Sequence, residues 1–262
     1  MDMRDARIGF IGFGNMASAM ADGWIASGAL AADQLAACAG RFDALKERCG
    51  ARGMRALPDA AAVIACSDVV VVAVKPYMIE TVLMPLAGSL EGKVVLSVAA
   101  GWDCAAYERV IGGSHHLSTV PNTPVAINEG VIACEKTSTL TEDEHDLAFS
   151  LLGLLGKPVE VETRLLSVAG TVGGCSPAFI AMVIEALGDA AVKHGIPRAD
   201  AYEMVSQMIA GTAKLQLVTG MHPGAMKDAV CSPGGTTIKG VAELEAAGMR
   251  SAFIRAIDAI EG

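Results

Sequence analysis

A turn near the C-terminus carries the residues best suited to bind a small anionic substrate. Residues 232–237 read Ser-Pro-Gly-Gly-Thr-Thr, and an apolar helical pattern follows them. The proline fixes one backbone angle, and the glycines allow a close bend. The bend delivers Thr236 and Thr237 to the first turn of a helix, where unpaired backbone N–H groups attract a carboxylate. A tight helix–helix connection with a threonine cap is the alternative interpretation.

A glycine-rich segment near the N-terminus indicates a dinucleotide site. An apolar strand pattern at 7–12 leads into Gly-x-Gly-x-x-Ala, and a helical pattern follows at 18–27. In this motif the first glycine permits a tight turn, the second lets the backbone approach a diphosphate, and the alanine lets helix and strand pack closely. This context favours cofactor binding over a purely structural glycine turn. The predicted contacts are Gly12, Phe13, Gly14, Asn15, Met16 and Ala17.

The end of the second predicted strand indicates which dinucleotide binds. The strand pattern at 34–39 is followed by Gly40 and Arg41, and no acidic residue occurs before Asp43. An NAD site usually has an acidic residue there for the ribose 2′-hydroxyl, whereas an arginine can pair with a 2′-phosphate. We therefore predict that NADPH is preferred. NADH remains the alternative if Arg41 is only an exposed residue at a helix start.

Residues 1–160 alternate between strand and helix patterns, which predicts an α/β fold with an N-terminal Rossmann-type doubly wound sheet. The runs at 68–74 and 94–98 are almost continuously apolar, as expected for parallel strands that are covered on both faces. The predicted strands are 7–12, 34–39, 68–74, 93–98, 116–120, 130–134 and 158–161.

Loops at the carboxyl ends of these strands are expected to face the cofactor, because ligands bind at that edge of a doubly wound sheet. Lys75 could instead be a solvated surface lysine. Asn122, in a loop with two prolines, is expected to present its amide to the same cleft. Two of the loops supply the further predicted cofactor contacts Ala73, Val74, Lys75, Pro76, Ala99, Ala100 and Gly101.

Residues 161–262 read as an all-α C-terminal domain. Ser176 and Pro177 are typical of an N-cap and a first helical residue. Glu185 and Asp189 share one helix face; they would line a substrate cleft or, more simply, form a solvated face. The predicted helices are 164–171, 177–194, 198–219, 224–230, 236–247 and 249–260.

The composition limits the possible partners. Hydrophobic residues make up 52% and charged residues 19%, which suggests apolar helix faces that are buried between subunits. The net charge of −9 argues against nucleic acid and anionic membrane surfaces. We expect no signal peptide and no apolar run of transmembrane length. The seven cysteines are scattered, as in a reduced cytoplasmic protein, and with the five histidines they form no metal-ligand pattern.

The whole chain resembles the pyrroline-5-carboxylate reductase family. The resemblance implies an NAD(P)-binding domain followed by a helical domain that interlocks with a second subunit. It implies a homodimer, and in many members further association to a decamer. The segments that carry it are 12–17, 72–76, 99–101, 121–124, 184–193 and, most specifically, 227–240.

The resemblance also implies the reaction, a hydride transfer from NADPH to the C=N bond of 1-pyrroline-5-carboxylate that gives L-proline. It places the substrate on Ser232, Gly235, Thr236 and Thr237, on a turn that typically comes from the partner subunit. Thr237 is the candidate catalytic residue, with its hydroxyl on the ring nitrogen. A protonated imine is already electrophilic, so no strong general acid is required, and His222 is only an outside candidate.

Some positions depart from the family pattern, and other classes of protein compete with it. Ser176 and Phe179 stand where the family usually has Gly and Tyr, which keeps an imine reductase with another substrate in consideration. A β-hydroxyacid dehydrogenase would need a lysine within the first long C-terminal helix, but Lys193 lies at its end. A nucleotide sensor would be expected to have lost the 232–237 turn. Ala60 and Ala229 replace frequent asparagines.

Overall fold

A computed structural model describes residues 3–262, and the chain forms two compact units that divide between Cys175 and Ser176. The sequence predicts a division between residues 160 and 161. Residues 162–175 group with the first unit, where a Cβ on Gly170 would lie 3.0 Å from the Val120 side chain. The division of functional domains at 160/161 stays a prediction.

The first unit is built on one sheet of eight strands. Strands β1 to β6 pair in parallel in the order β3-β2-β1-β4-β5-β6; β7 runs antiparallel to β6, and β8 pairs in parallel with β7. The predicted doubly wound α/β class is confirmed. The strands are β1 (Ile8–Ile11), β2 (Leu35–Cys38), β3 (Arg55–Ala56), β4 (Val69–Val72), β5 (Val94–Ser97), β6 (His115–Pro121), β7 (Gly130–Glu135) and β8 (Gly156–Val161).

The central strands are buried along their whole length, as the apolar runs predict. One apolar layer contains Phe10 and Trp24, and the other contains Leu83 and Tyr107. The helices of this unit are α1 (Asn15–Ala26), α2 (Phe42–Gly50), α3 (Ala60–Ala65), α4 (Ile79–Leu83), α5 (Cys104–Ile111), α6 (Glu142–Gly153) and α7 (Leu166–Gly170).

The register of the parallel strands brings their carboxyl ends level. Ile11 lies opposite Cys38 on one side and Val72 on the other, and Val72 lies opposite Ser97. The loops that follow β1, β2, β4 and β5 therefore start at the same edge of the sheet. This is the edge at which doubly wound sheets bind ligands.

One helical run covers Thr163–Lys193, which corrects two predictions. Its middle is a π-helical turn at Thr171–Cys175. Ser176 therefore continues a helix that has already begun and is not an N-cap residue. Because Pro177 has no N–H, a backbone carbonyl one turn earlier in the helix lacks its usual hydrogen-bond donor and needs another one. The prediction that no apolar run reaches transmembrane length is also wrong, because this run does so by length and composition. Its glycines and serines interrupt the apolar pattern and hide its length.

Asn122 supplies that donor rather than facing the cleft. Its Nδ2 donates to the Gly173 carbonyl at 3.0 Å, and its Oδ1 accepts from the Val131 N–H at 3.0 Å. The side chain is buried, and both ends of its amide are used. Asn122 thus ties the π-helical turn to β7, and the prediction that it serves the cleft is wrong.

The second unit is entirely helical and buries little of its own apolar surface. Only Gly188 and Ala201 are fully buried in α8 to α12, and the Gly188 backbone packs on the Tyr202 ring. Asp189 pairs with Arg198, which agrees with the solvated-face interpretation. The helices are α8 (Ser176–Lys193), α9 (Arg198–Thr219), α10 (Pro223–Ala229), α11 (Thr236–Ala246) and α12 (Met249–Glu261).

Candidate active site

A cleft of about 770 Å³ opens at the carboxyl ends of β1, β2, β4 and β5. The loops that follow these strands form its walls, as the level register requires. Most of the predicted cofactor contacts line it, namely Gly12, Gly14, Asn15, Met16, Ala17, Ala73, Val74, Lys75, Pro76, Ala99 and Ala100.

Three predicted contacts are not among the lining residues. The Phe13 ring is buried and packs edge-on against Phe10, with ring centroids 5.6 Å apart. Gly101 lies in the turn after β5 with a φ of +77°. Arg41 is exposed and follows Gly40, which does line the cleft.

Gly12 determines how the chain leaves β1. Its N–H donates to the Cys38 carbonyl at 3.0 Å, and its φ is +91°, a conformation that favours glycine. A Cβ here would lie 2.7 Å from the Ala73 carbonyl oxygen. The close approach to the ends of β2 and β4 therefore requires glycine.

The glycine-rich loop leaves the first turn of α1 open to an anion. Gly14 is the N-cap residue, and no side chain caps this helix. A Cβ on Gly14 would meet nothing within 4 Å, so the cleft reaches its backbone. First-turn N–H groups have no partner inside a helix, and together with the helix dipole they attract phosphate. The loop fits the diphosphate of a dinucleotide.

The end of the cleft at β2 contains an acidic residue that the sequence analysis missed. Asp59 lines the cleft beside Pro58 and Cys38. Its Oδ1 accepts from the Ala62 N–H at 2.8 Å and caps α3. Burial raises the pKa of the Cys38 thiol, which therefore stays protonated near neutral pH. The signal for Asp59 was its cap position after a proline, ahead of the apolar start of α3.

The 232–237 turn has the geometry that the sequence predicts. The Ser232 carbonyl accepts from the Gly235 N–H at 3.0 Å, and Gly234 has a φ of +69°, as in a type II turn. Gly235 is the N-cap residue of α11 and provides no side-chain cap. Thr236 and Thr237 are both exposed on the first turn. The first-turn N–H groups of α11 are thus available to a carboxylate.

A Rossmann-type sheet with an open glycine-rich loop defines the class of dinucleotide-binding proteins, to which the NAD(P)-dependent oxidoreductases belong. The family model described as NADP oxidoreductase, coenzyme F420-dependent, matches residues 7–101. The model described as pyrroline-5-carboxylate reductase dimerisation matches residues 163–261. The pyrroline-5-carboxylate reductase of Treponema pallidum is 42% identical over 257 residues, which are 96% of this chain and 97% of the relative. The chain belongs to the pyrroline-5-carboxylate reductase family.

Solved structures agree with this assignment. A pyrroline-5-carboxylate reductase from Coxiella burnetii has a TM-score of 0.86 and is 30% identical, covering 97% of this chain and 96% of that one. The Plasmodium falciparum pyrroline carboxylate reductase with NADP bound has a TM-score of 0.88 and covers 98% of this chain and 96% of that one; at 24% identity it shows the fold. The predicted family, enzyme class and NADP-binding N-terminal domain are confirmed, as is the helical dimerisation domain.

We predict that Gly14→Ala weakens NADPH binding at least about tenfold while leaving stability within about 0.5 kcal/mol. The added methyl group enters open space, so it costs the fold little, but it occupies the surface where a diphosphate must approach. Fluorescence titration with NADPH and urea unfolding measure the two effects. Gly50→Ala, also into open space but at the end of α2, is the matched control. Equal NADPH affinity in Gly14→Ala and the wild type would contradict the prediction.

Proposed function

We propose that this chain reduces 1-pyrroline-5-carboxylate to L-proline with NADPH, the last step of proline biosynthesis. Bound NADPH would supply a hydride to the C=N carbon, and the substrate nitrogen, already protonated, becomes the amine of proline. The observation that carries the proposal is the uncapped start of α11 with two exposed threonines. It occurs in a family member whose other unit has an open dinucleotide cleft.

The first turn of α11 binds the substrate carboxylate in this proposal. The N–H groups of Thr236 and Thr237 face no intrahelical carbonyl, and no side chain caps them. The Gly235 N–H is already used within the turn, where it donates to the Ser232 carbonyl at 3.0 Å. The Thr236 hydroxyl and Ser232 stand beside the Thr236 and Thr237 N–H groups. A carboxylate held here fixes the ring relative to the hydride donor, and such positioning accounts for a large part of a barrier reduction.

Thr237 holds the ring nitrogen through its hydroxyl and is the proposed catalytic residue. An imine protonated in solution needs no strong acid from the protein. His222 stays an outside candidate for an acid; its Nδ1 accepts from the Gly224 N–H at 3.1 Å and caps α10. The chain's own contribution is therefore to bind, orient and exclude water.

The functional unit in this proposal is a homodimer in which the partner subunit supplies the 232–237 turn. Support comes from the dimerisation family model over residues 163–261 and from the few buried residues of α8 to α12. Further association of dimers into a decamer follows from the family resemblance. Sedimentation analysis tests both steps, and an active monomer would contradict the first.

We further propose that the protein is cytoplasmic and that the apolar run Thr163–Lys193 packs against protein rather than lipid. The run begins where the dimerisation family model begins. Its first turns pack on the sheet through Asn122 and Val120. A protein that remains in the supernatant after membranes are sedimented supports this placement, and recovery with the membranes contradicts it.

The preference for NADPH depends on Arg41 in this proposal. Arg41 is exposed and immediately follows the part of the cleft formed by Cys38, Ala39 and Gly40. An arginine there can pair with a 2′-phosphate but gains nothing from a 2′-hydroxyl alone. Asp43 is also exposed and does not line the cleft.

We predict that Arg41→Ala raises the KM for NADPH about tenfold and leaves that for NADH unchanged, because a charged hydrogen bond contributes about 1.5–3 kcal/mol. Initial rates with each cofactor measure the effect. Arg109→Ala, which removes an exposed arginine on α5, is the control. Equal changes for both cofactors would remove the role given to Arg41.

We predict that Thr237→Ala lowers kcat/KM for pyrroline-5-carboxylate by about tenfold to a hundredfold, the loss of one hydrogen bond of about 1–3 kcal/mol. Thr237→Ser keeps the hydroxyl and should retain most of the activity. Thr219→Ala, which removes an exposed hydroxyl at the end of α9, controls for the substitution itself. An unchanged kcat/KM in Thr237→Ala would exclude the proposed role.

A further inference from the structure

Arg48, which lies on α2, donates hydrogen bonds to the glycine-rich loop. Its Nη1 donates to the Phe13 carbonyl at 2.6 Å, and its Nη2 approaches the Gly14 carbonyl at 3.4 Å. Nη2 also donates to the Ser18 hydroxyl. A planar guanidinium with several donors can make these bonds at once, whereas a lysine ammonium is a point charge on a flexible stem.

The two carbonyls belong to the peptide groups whose N–H groups come next in the chain. In a trans peptide, C=O and N–H point in opposite directions. Holding the Phe13 carbonyl toward α2 therefore directs the Gly14 N–H away from α2. The Gly14 carbonyl accepts from the Ser18 N–H at 3.0 Å in the first turn of α1, and the Arg48 contact at 3.4 Å adds to that bond in fixing the Asn15 N–H. Within residues 3–262, neither the Gly14 N–H nor the Asn15 N–H has a backbone partner among the loop and cap hydrogen bonds. Gly14 and Asn15 both line the cleft.

The Arg48 guanidinium also packs on an aromatic ring. It lies over the Phe13 ring at 5.2 Å from the ring centroid, and Arg52 lies over the same ring at 5.9 Å. Arg52 is fixed by two bonds to the Asp22 carboxylate, at 2.6 and 2.9 Å, and donates to the Arg48 carbonyl at 3.0 Å. Arg52 contacts no carbonyl of the loop, which makes it a matched control.

We propose that Arg48 is a positioning residue that orients the glycine-rich loop, so that the N–H groups of Gly14 and Asn15 face the diphosphate of the cofactor. The inference rests on the proposed dinucleotide function of the cleft. The diphosphate is common to NADPH and NADH, so Arg48 serves both cofactors equally. This separates its role from that of Arg41, which concerns the 2′-phosphate alone.

Calorimetric titration of the purified full chain with NADPH, NADH and adenosine 2′-monophosphate tests the proposal. Arg48→Met keeps the apolar stem and removes the donors. The expected result is an increase in Kd of about tenfold for both dinucleotides, the loss of about one hydrogen bond. The Kd for adenosine 2′-monophosphate, which has no diphosphate, is expected to stay unchanged. Without cofactor, amide exchange of Gly12 and Ser18, whose N–H groups are bonded on either side of the loop, is expected to accelerate.

Two further variants distinguish a positioning role of Arg48 from the effect of its charge and from a general loss of stability. Arg48→Lys keeps the positive charge but cannot donate to both loop carbonyls at once. Its dinucleotide affinity should therefore be little higher than that of Arg48→Met. Arg52→Met disturbs the same ring and should leave both dinucleotide Kd values within about twofold, because it breaks no loop bond. Full restoration by Arg48→Lys would overturn the proposal in favour of simple electrostatic attraction.

The remaining outcomes are equally decisive. An unchanged dinucleotide Kd in Arg48→Met would overturn the proposal, as would a parallel loss of adenosine 2′-monophosphate binding. A wild type that binds neither dinucleotide would overturn it together with the proposed function. A wild type that binds both but does not reduce pyrroline-5-carboxylate would remove only the proposed substrate, because the titrations contain no imine.

Discussion

The close approach of Gly12 to the Ala73 carbonyl is the constraint on which the cofactor site depends. The N–H of Gly12 is bonded to the Cys38 carbonyl on the opposite side, so the chain turns between the ends of β2 and β4. The turn places the start of α1 over the carboxyl edge of the sheet, where its unpaired N–H groups face the cleft. Arg48 donates a hydrogen bond to the same loop from α2, at the Phe13 carbonyl. In our proposal, cofactor binding depends on this short backbone segment, which is hydrogen-bonded on both sides.

The helical unit, in contrast, leaves much of its apolar surface unburied. Met182, Leu217 and Val218 are each more than half exposed, and many other residues of α8 and α9 are exposed. Removing such surface from water favours association. A family model named for dimerisation matches this region. In the homodimer that we propose, the substrate turn at the start of α11 and the cofactor cleft come from different subunits.

Local patterns predicted much of the fold and of the site. The roles of Gly12 and Gly14 could be predicted because they depend on the backbone next to them in the chain. The apolar runs of β4 and β5 predicted a parallel sheet that is buried on both faces. The two-residue strand β3 was missed because it is too short to show a period. Ser176 was misread as a cap because the π-helical turn depends on Asn122, far away in sequence. Arg48 was missed for the same reason, while the roles of Arg41 and Thr237 stay predictions.

The central claim is that this chain couples its dinucleotide cleft to the reduction of a cyclic imine carboxylate. The most direct measurement is the loss of reduced-cofactor absorbance with purified protein, pyrroline-5-carboxylate and either NADPH or NADH. The account predicts rapid turnover, faster with NADPH, and formation of one L-proline for each NADPH oxidised. Normal NADPH binding without turnover of pyrroline-5-carboxylate would contradict the claim and direct attention to another imine substrate.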